Sequence, residues 1–385
     1  MTRTLGKILP PQSVTPQTQD SMTEPSSPTV DLKALAQHLG LSKGTISRAL
    51  NGYPEIAERT RSRVLQAANE LGYKPNRAAR RLATGRNDLV SYIGVGSDWM
   101  TIERSFLSAL SSTLSLRGYG LMVSLADTME HAKDTMQQLI DDKRVDGFVF
   151  STLFPSDERV ALAAANCVPG AIIGGSAVRS SHTSEMPVIG INDTAVLDGL
   201  VDYLNSMGHD GFAYFGCDAP QAVQQFHSET LAASCGNRNT NFFRDIRSDS
   251  ERHADKGTAQ FEAETAASLT HRAERILDNK PSRATAVFCG CERTVVALYM
   301  AARDRGLSVP EELSIIGIGS SQLASWLSGG LSTVSWSLAE AGRLAAECVV
   351  AQVEGTEAPD LNAGIEAQFV ARSSHGPAPR DVSTL

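Results

Sequence analysis

Apolar positions at helical spacing mark where the folded part of the chain begins. Leu32, Leu35, Ala36 and Leu39 recur at the three- and four-residue intervals of one helix face. Gly40 follows them, and a glycine takes the left-handed conformation that ends a helix at least cost. The pattern predicts a first short helix that ends at Gly40.

Polar residues cover one side of a second predicted helix. This helix runs from Lys43 to about Leu50, and Ser42 can cap it. Its inward positions are Ile46, Ala49 and Leu50. Its outward positions are Lys43, Gly44, Thr45, Ser47 and Arg48.

A third helix is predicted from Ala57 to Leu71. Its inward positions are Val64, Leu65, Ala68 and Leu71, and Gly72 closes it. Three short helices with a tight glycine-containing turn between the first two make a helix-turn-helix unit, which is typical of DNA binding.

After Asp88 the chain alternates short apolar runs with helical patterns. These segments are residues 89–95, 106–116, 120–125, 131–140, 147–150, 171–173, 212–215, 284–288, 295–305 and 313–318. Such alternation requires parallel sheets covered by helices on both faces. A stretch of this length suits two lobes better than one. We therefore predict an all-α helix-turn-helix headpiece and an α/β core of two doubly wound parallel sheets.

The two ends of the chain show little apolar periodicity. Residues 1–28 are rich in proline, serine and threonine, so they cannot bury enough surface to offset the entropy cost of ordering. We expect a disordered leader at 1–28 and a disordered tail at 373–385. The headpiece is expected at 29–74 and the core at 88–372.

Charge is segregated along the chain. The whole protein carries a net charge of -8. The segment from Thr29 to Asp88 holds 11 basic and 5 acidic residues, a net charge of +6, which leaves -14 for the remainder. A basic segment on an acidic body indicates that nucleic-acid binding belongs to the headpiece alone.

Cysteine usage and the amino terminus predict a cytoplasmic protein. The six cysteines are scattered without a CxxC pair, and Cys289 and Cys291 form only a CxC. The sequence has neither a signal-peptide pattern nor an apolar run of membrane length. We expect no metal, no cofactor and no membrane partner.

The headpiece carries a recognisable motif. The segments DLKALAQHLGLSKGTISRALNG and ERTRSRVLQAANELGYKPNRAARRLATG, from about Val30 to Gly85, closely resemble the DNA-binding headpiece and hinge of the LacI/GalR family. The resemblance implies a sequence-specific transcription regulator, most often a repressor. It also implies that a homodimer binds a pseudo-palindromic operator in double-stranded DNA.

The resemblance assigns DNA contacts to particular positions. Lys43 and Gly44 would discriminate between operators, and Arg48 would reach a guanine edge. Because Gly44 has no side chain, specificity there should come from Lys43, from neighbouring contacts to thymine methyls, or from close backbone approach. The other DNA-binding positions implied are Leu32, Ser42, Thr45, Ser47, Asn51, Tyr73, Asn76, Ala79 and Leu82.

Residues 75–87 match the family hinge. In the family this segment is helical only when two hinges pair across the minor groove of bound DNA. Leu82 resembles the leucine wedge that enters a central base step and kinks the duplex.

The core resembles the family's two-lobed sensor domain, which is of the periplasmic-binding-protein-like type I fold. The likeness is clearest in RGLSVPEELSIIGIGSSQLASWLSGGLSTVSWSLAEAGRLAA. The residues that usually bind the ligand in this family differ in this chain. Gln225 and Ser228 replace an Arg and a Gly, Cys291-Glu292 replaces Asn-Asp, and Gly319 replaces an Asp. These departures argue against an ordinary hexose as effector.

Polar residues near predicted strand ends remain as effector candidates. They are Asp98, Asn192, Asp193, Gln225, Glu292 and Ser320. Asp193 could instead merely cap the helix that follows it. By family analogy the effector is a small molecule such as a sugar or a sugar derivative.

Other functions stay open on the sequence. The chain could be a binding protein or an α/β enzyme whose first helices are incidental, although its histidines sit singly and give no catalytic triad. Gly94 and Gly96 allow a dinucleotide loop, but a lone GxG is more typical of a plain strand end. The chain could also be a repressor without a small-molecule effector, constitutive or controlled by a protein partner.

Overall fold

A computed structural model describes most of the chain. The described residues are 30–50, 53–73, 85–95, 104–151, 157–175, 186–216, 221–238, 240–245, 266–278, 284–319, 323–327 and 329–380. The chain divides between Gly85 and Arg86 into two compact units. We name them the headpiece unit and the core unit.

The headpiece unit contains three helices. They are α1 (Leu32–Leu39), α2 (Lys43–Leu50) and α3 (Glu58–Glu70). Asp31 caps α1 by accepting a hydrogen bond from the Ala34 amide at 2.7 Å, and Gly40 ends that helix with a φ of 67°. All three predicted helices are therefore confirmed, and their ends differ from the predicted ones by at most one residue.

Seven apolar side chains form the core of the headpiece unit. They are Leu35, Ala36, Ile46, Ala49, Val64, Ala67 and Ala68. The predicted inward face of α3 is wrong at Leu65, which is 50% exposed. Positions 64, 67 and 68 lie within one helical face, whereas position 65 is turned about 100° away from position 64.

Lobe 1 of the core unit is a six-stranded parallel sheet. Its strands are β1 (Leu89–Val95), β2 (Gly120–Ala126), β3 (Gly147–Ser151), β4 (Gly170–Gly175), β5 (Val188–Asn192) and β11 (Ile365–Glu366). They lie in the order β2-β1-β3-β4-β5-β11, so β2 is an edge strand. Its helices are α4 (Arg104–Leu116), α5 (Met129–Asp141), α6 (Glu158–Ala165) and α12 (Leu338–Glu354). Apolar side chains fill both faces of the sheet.

Lobe 2 repeats this architecture. Its strands are β6 (Gly211–Phe215), β7 (Asn241–Asp245), β8 (Ala286–Cys289), β9 (Ser314–Ile318), β10 (Ser332–Ser335) and β12 (Gln368–Val370). The order is β7-β6-β8-β9-β10-β12, and β12 alone runs antiparallel to its neighbour. Its helices are α7 (Thr194–Ser206), α8 (Gln221–Asn237), α9 (Ala266–Asp278), α10 (Glu292–Asp304) and α11 (Leu323–Trp326). The predicted pair of parallel, doubly wound lobes is confirmed.

The chain passes between the lobes at three places in the described part. One crossover joins β5 to α7, the second joins β10 to α12, and the third joins β11 to β12 through Ala367. Trp336 lies in the second crossover and packs against the apolar cores of both lobes. These crossovers form the hinge of the core unit.

The carboxyl-terminal segment packs on lobe 2. The Ser374 carbonyl accepts a hydrogen bond from the Ile315 amide at 2.7 Å, and the Gly376 amide donates to Ser314 Oγ at 3.0 Å. The prediction of a disordered tail is therefore wrong for residues 373–380. Apolar periodicity could not predict this segment, because backbone and hydroxyl hydrogen bonds hold it. Residues 381–385 and the leader at 1–28 lie outside the described residues.

Candidate DNA interface and effector site

The turn between α1 and α2 fixes where α2 begins. Ser42 Oγ accepts a hydrogen bond from the Thr45 amide at 3.0 Å and lies 2.8 Å from Thr45 Oγ1. This is the predicted cap, and it satisfies one of the amides that a helix start leaves without a partner. Ile46 and Ala49 are buried against the other helices, so α2 turns its opposite face to solvent.

That solvent face carries the residues predicted to read DNA. Lys43, Gly44 and Arg48 are exposed, while Thr45 and Ser47 are half-buried. Arg48 Nε donates to the Gly44 carbonyl at 3.3 Å, so the guanidinium folds back along the helix. A Cβ atom at position 44 would lie 3.8 Å from Arg48 Nη2, which is ordinary contact. Gly44 therefore leaves room for a partner surface beside the cationic side chains of Lys43 and Arg48.

Two predicted DNA-binding residues also belong to the packing of the headpiece. Leu32 and Tyr73 are partly buried against its apolar core. Burial raises the pKa of the Tyr73 phenol, and the nearby Asp31 carboxylate raises it further. The hydroxyl therefore stays protonated at neutral pH and can donate a hydrogen bond. Asn51, Asn76, Ala79 and Leu82 lie outside the described residues.

One basic side chain of the headpiece has a structural role that sequence reasoning missed. Arg61 Nη2 donates to the Tyr53 carbonyl at 2.8 Å, and its Nη1 lies 3.3 Å from Glu58 Oε2. The first contact ties α3 to Tyr53, which precedes it, and the second lies within α3. The Glu at the third position before Arg61 was the only sequence signal for this role.

Asn192 joins two of the crossovers in the core unit. It is the last residue of β5, and its Nδ2 atom donates to the Ala363 carbonyl and to Glu366 Oε1, the latter at 3.1 Å. Its carbonyl accepts a hydrogen bond from the Ala367 amide at 3.1 Å. The side-chain amide predicted to bind an effector is thus engaged with the protein.

Asp193 occupies the position before α7 but does not cap that helix. Its carboxylate makes no capping hydrogen bond, so the alternative role weighed for it is wrong. Oδ2 instead lies 2.9 Å from Nε2 of His227, and both side chains are buried. The sequence did not single out His227 as a partner, because 34 residues separate the two positions.

Two of the remaining effector candidates, Gln225 and Glu292, lie on separate helices of lobe 2. Gln225 is half-buried on α8, where its carbonyl accepts from Ser228 Oγ at 3.0 Å. Glu292 is exposed as the first residue of α10. Gly319 ends β9 with a φ of 116°, and a Cβ there would lie 3.9 Å from Trp336 Cη2. Asp98 and Ser320 lie outside the described residues.

The described part of the chain holds no group of three or more metal-ligating side chains. None of the helices in that part is both long enough and apolar enough to cross a membrane.

Two family models match the chain. Residues 31–76 match the model of bacterial regulatory proteins of the lacI family, and residues 201–375 match a periplasmic binding protein-like domain. The first match covers α1 to α3. The second covers most of lobe 2, two of the three crossovers, and α12 and β11 of lobe 1.

Curated relatives and solved structures extend over nearly the whole chain. The HTH-type transcriptional regulator AglR of Rhizobium meliloti is 27% identical, over 91% of this chain and 95% of the relative. The HTH-type transcriptional repressor CytR of Escherichia coli is 24% identical, over 89% and 95%. The lac repressor dimer bound to operator and the anti-inducer ONPF aligns with a TM-score of 0.65 at 19% identity, over 90% of this chain and 99% of that chain.

These matches agree with the three helices of the headpiece unit and with the two lobes of the core unit. The chain is a DNA-binding transcriptional regulator that belongs to the LacI family.

Proposed function

We propose that this chain is a repressor that binds a pseudo-palindromic operator as a homodimer. The observation that carries the proposal is the solvent face of α2, where Lys43, Gly44 and Arg48 are exposed beside a helix start capped by Ser42. Side chains at the amino end of such a helix reach base edges in the major groove. Operators lie in the cytoplasm of bacteria, so we also propose that location.

Selection from a randomised DNA pool tests this function. The full chain should enrich an inverted repeat, and its affinity should fall steeply as salt rises, because neutralised phosphates release counterions. Enrichment of a single unrepeated site would contradict the dimer, and no enrichment would contradict sequence-specific binding.

The hinge around Leu82 is proposed to kink the operator. An apolar wedge in the minor groove acts only where the duplex can be bent, so Leu82→Ala should weaken specific binding far more than nonspecific binding. Leu65→Ala is a matched control, because Leu65 is half exposed on α3. Equal losses on both kinds of DNA would refute the wedge.

Apolar side chains on both lobes support a dimer. Leu116 is 87% exposed beside the edge strand β2, where Val123 and Leu125 are also exposed. On lobe 2, Val296 and Met300 are exposed one turn apart on α10. Clusters of exposed apolar side chains often mark a surface that a partner covers. A second copy of the chain is the partner that two-fold operators require.

We propose that the core unit binds a small-molecule effector near its hinge. By the family resemblance, Gln225 and Gly319 stand where side chains that bind sugar hydroxyls are usual. The Asn192 and Asp193 side chains already form hydrogen bonds within the chain. An ordinary hexose therefore does not suit this site. Melting of the full chain against sugars, sugar phosphates, polyols, nucleosides and amino acids tests the proposal, since a ligand at 100 times its Kd stabilises by about 2.7 kcal/mol.

A second candidate is a repressor that responds to no small molecule. The engagement of Asn192 with Glu366 and of Asp193 with His227 favours it, because both polar groups are satisfied without a ligand. No thermal shift across the panel, together with normal operator binding, would select this candidate over the first.

A further inference from the structure

The segment that enters the core unit is held by a single carboxylate. Asp146 precedes β3, and its Oδ1 and Oδ2 atoms accept from the Asn87 amide at 2.8 and 3.0 Å. Its carboxylate also accepts from Asn87 Nδ2 and from the Leu89 amide, each at 3.2 Å. The Asp146 amide donates back to the Leu89 carbonyl at 2.8 Å. The residues just before β1 are thus held by side-chain hydrogen bonds in addition to the backbone hydrogen bonds of the sheet.

A second contact holds the same segment from another element. Arg86 Nη2 donates to the Val353 carbonyl at 3.1 Å, in the last turn of α12. Carbonyls at the end of a helix carry partial negative charge, which favours a cation there. Next to this contact, Arg117 forms an ion pair with Glu354 at 2.5 Å.

The backbone between these contacts adopts a conformation that needs support. Asp88 has a φ of 53°, in the left-handed region that a residue with a side chain seldom takes. Its carbonyl accepts from the Gly120 amide at 2.7 Å. Such a conformation persists only where surrounding contacts determine it. Contacts from β2, β3 and α12 therefore fix residues 86–89 at one edge of lobe 1.

From these contacts we infer that Asp146 and Arg86 are positioning residues, which fix the point where the chain from the headpiece enters the core unit. By fixing this point they set the half-site spacing that the dimer accepts. The inference rests on the proposed dimeric repressor. In a dimer the second headpiece binds intramolecularly, at an effective concentration that depends on how freely its tether moves. A fixed attachment point at residues 86–89 narrows the range of spacings that the second headpiece can reach, whereas a loose attachment point widens that range.

Operators of altered spacing test this inference. The full chain would be compared on the selected operator, on versions with one or two base pairs inserted or removed between half-sites, and on an isolated half-site. The wild type should lose about tenfold or more in affinity on each altered spacing, because the second headpiece is misplaced. Arg86→Ala and Asp146→Ala should bind the selected operator more weakly and lose only about threefold on altered spacings.

Controls separate positioning from folding. Arg117→Gln removes the neighbouring ion pair without touching residues 86–89, and it should keep the wild-type spacing profile. Half-site affinity should be unchanged in all variants. Since Arg86 is exposed, Arg86→Ala should fold even if Asp146→Ala does not.

The possible failures are distinguishable. A wild-type spacing profile in Arg86→Ala would overturn the inference and leave the repressor intact. A wild-type chain that binds half-sites and full sites equally would refute the dimeric function itself, and the inference with it.

Discussion

His227 and Asp193 form a buried pair at the hinge of the core unit. Nε2 of the imidazole lies 2.9 Å from Oδ2 of the carboxylate, and the two residues are 7% and 1% exposed. An ionised carboxylate only accepts hydrogen bonds, so the imidazole donates. The pair ties α8, which carries Gln225, to the crossover between β5 and α7, where Asn192 lies.

Removing His227 should destabilise the core unit. His227→Ala leaves a buried carboxylate without this hydrogen bond, which costs about 1–3 kcal/mol. Thermal unfolding of the full chain measures the loss, and His271→Ala on the exposed face of α9 is the control. A melting temperature equal to that of the wild type would show that the pair contributes nothing to stability.

Arg48 should read a base rather than hold a phosphate. Arg48→Ala is expected to cost about 1–3 kcal/mol on the selected operator and to relax the preference at one base pair. Arg63→Ala removes the same charge from an exposed position on α3 and should weaken binding little and evenly. Titrations over all single-base variants of the operator measure both effects. If Arg48→Ala lost the same affinity on every operator variant, Arg48 would be a phosphate contact.

Acid should loosen the carboxyl-terminal segment from lobe 2. His209 lies 2.7 Å from Thr285 Oγ1 and 2.9 Å from the Gly376 carbonyl, and burial lowers its pKa. Burial lowers the pKa of His375 as well. The unfolded chain, with a histidine pKa of about 6.5, then binds protons more readily than the folded one. Stability is therefore full above about pH 6.5 and is lost as pH falls through the lowered folded values.

Melting temperatures between neutral pH and about pH 5 test this dependence. They should fall on the acid side, and His209→Gln should reduce the slope, whereas His271→Gln should leave it unchanged. A slope equal to that of the wild type in His209→Gln would assign the acid sensitivity to other groups.

Charges on the exposed apolar surface of lobe 1 should separate the dimer. Burying a leucine contributes about 1.5–3 kcal/mol, so Leu116→Lys with Leu125→Lys should weaken association by about 3 kcal/mol or more. Sedimentation of the full chain should then show monomers where the wild type sediments as dimers. Leu65→Lys on the headpiece is the control. An unchanged dimer would place the interface elsewhere.

Local patterns in the sequence determined the elements and the family. Periodic apolar residues between Leu32 and Leu71 specified three helices, and runs such as 89–95 and 314–318 specified buried parallel strands. These signals are local, because a helix face or a buried strand repeats every few residues. The motif from about Val30 to Gly85 was enough to identify the headpiece, since its residues lie in one short stretch of the sequence.

Only the tertiary structure decided which polar residues are engaged. Asp193 meets His227 across 34 residues, Asn87 meets Asp146 across 59, and Ser374 meets Ile315 across the same separation. Periodicity carries no information about such pairs, because each depends on strand order and on where distant loops converge. For the same reason periodicity placed residues 373–380 in a disordered tail, although hydrogen bonds hold them on lobe 2. The error at Leu65 was local, because that position lies off the helix face that Val64 and Ala68 share.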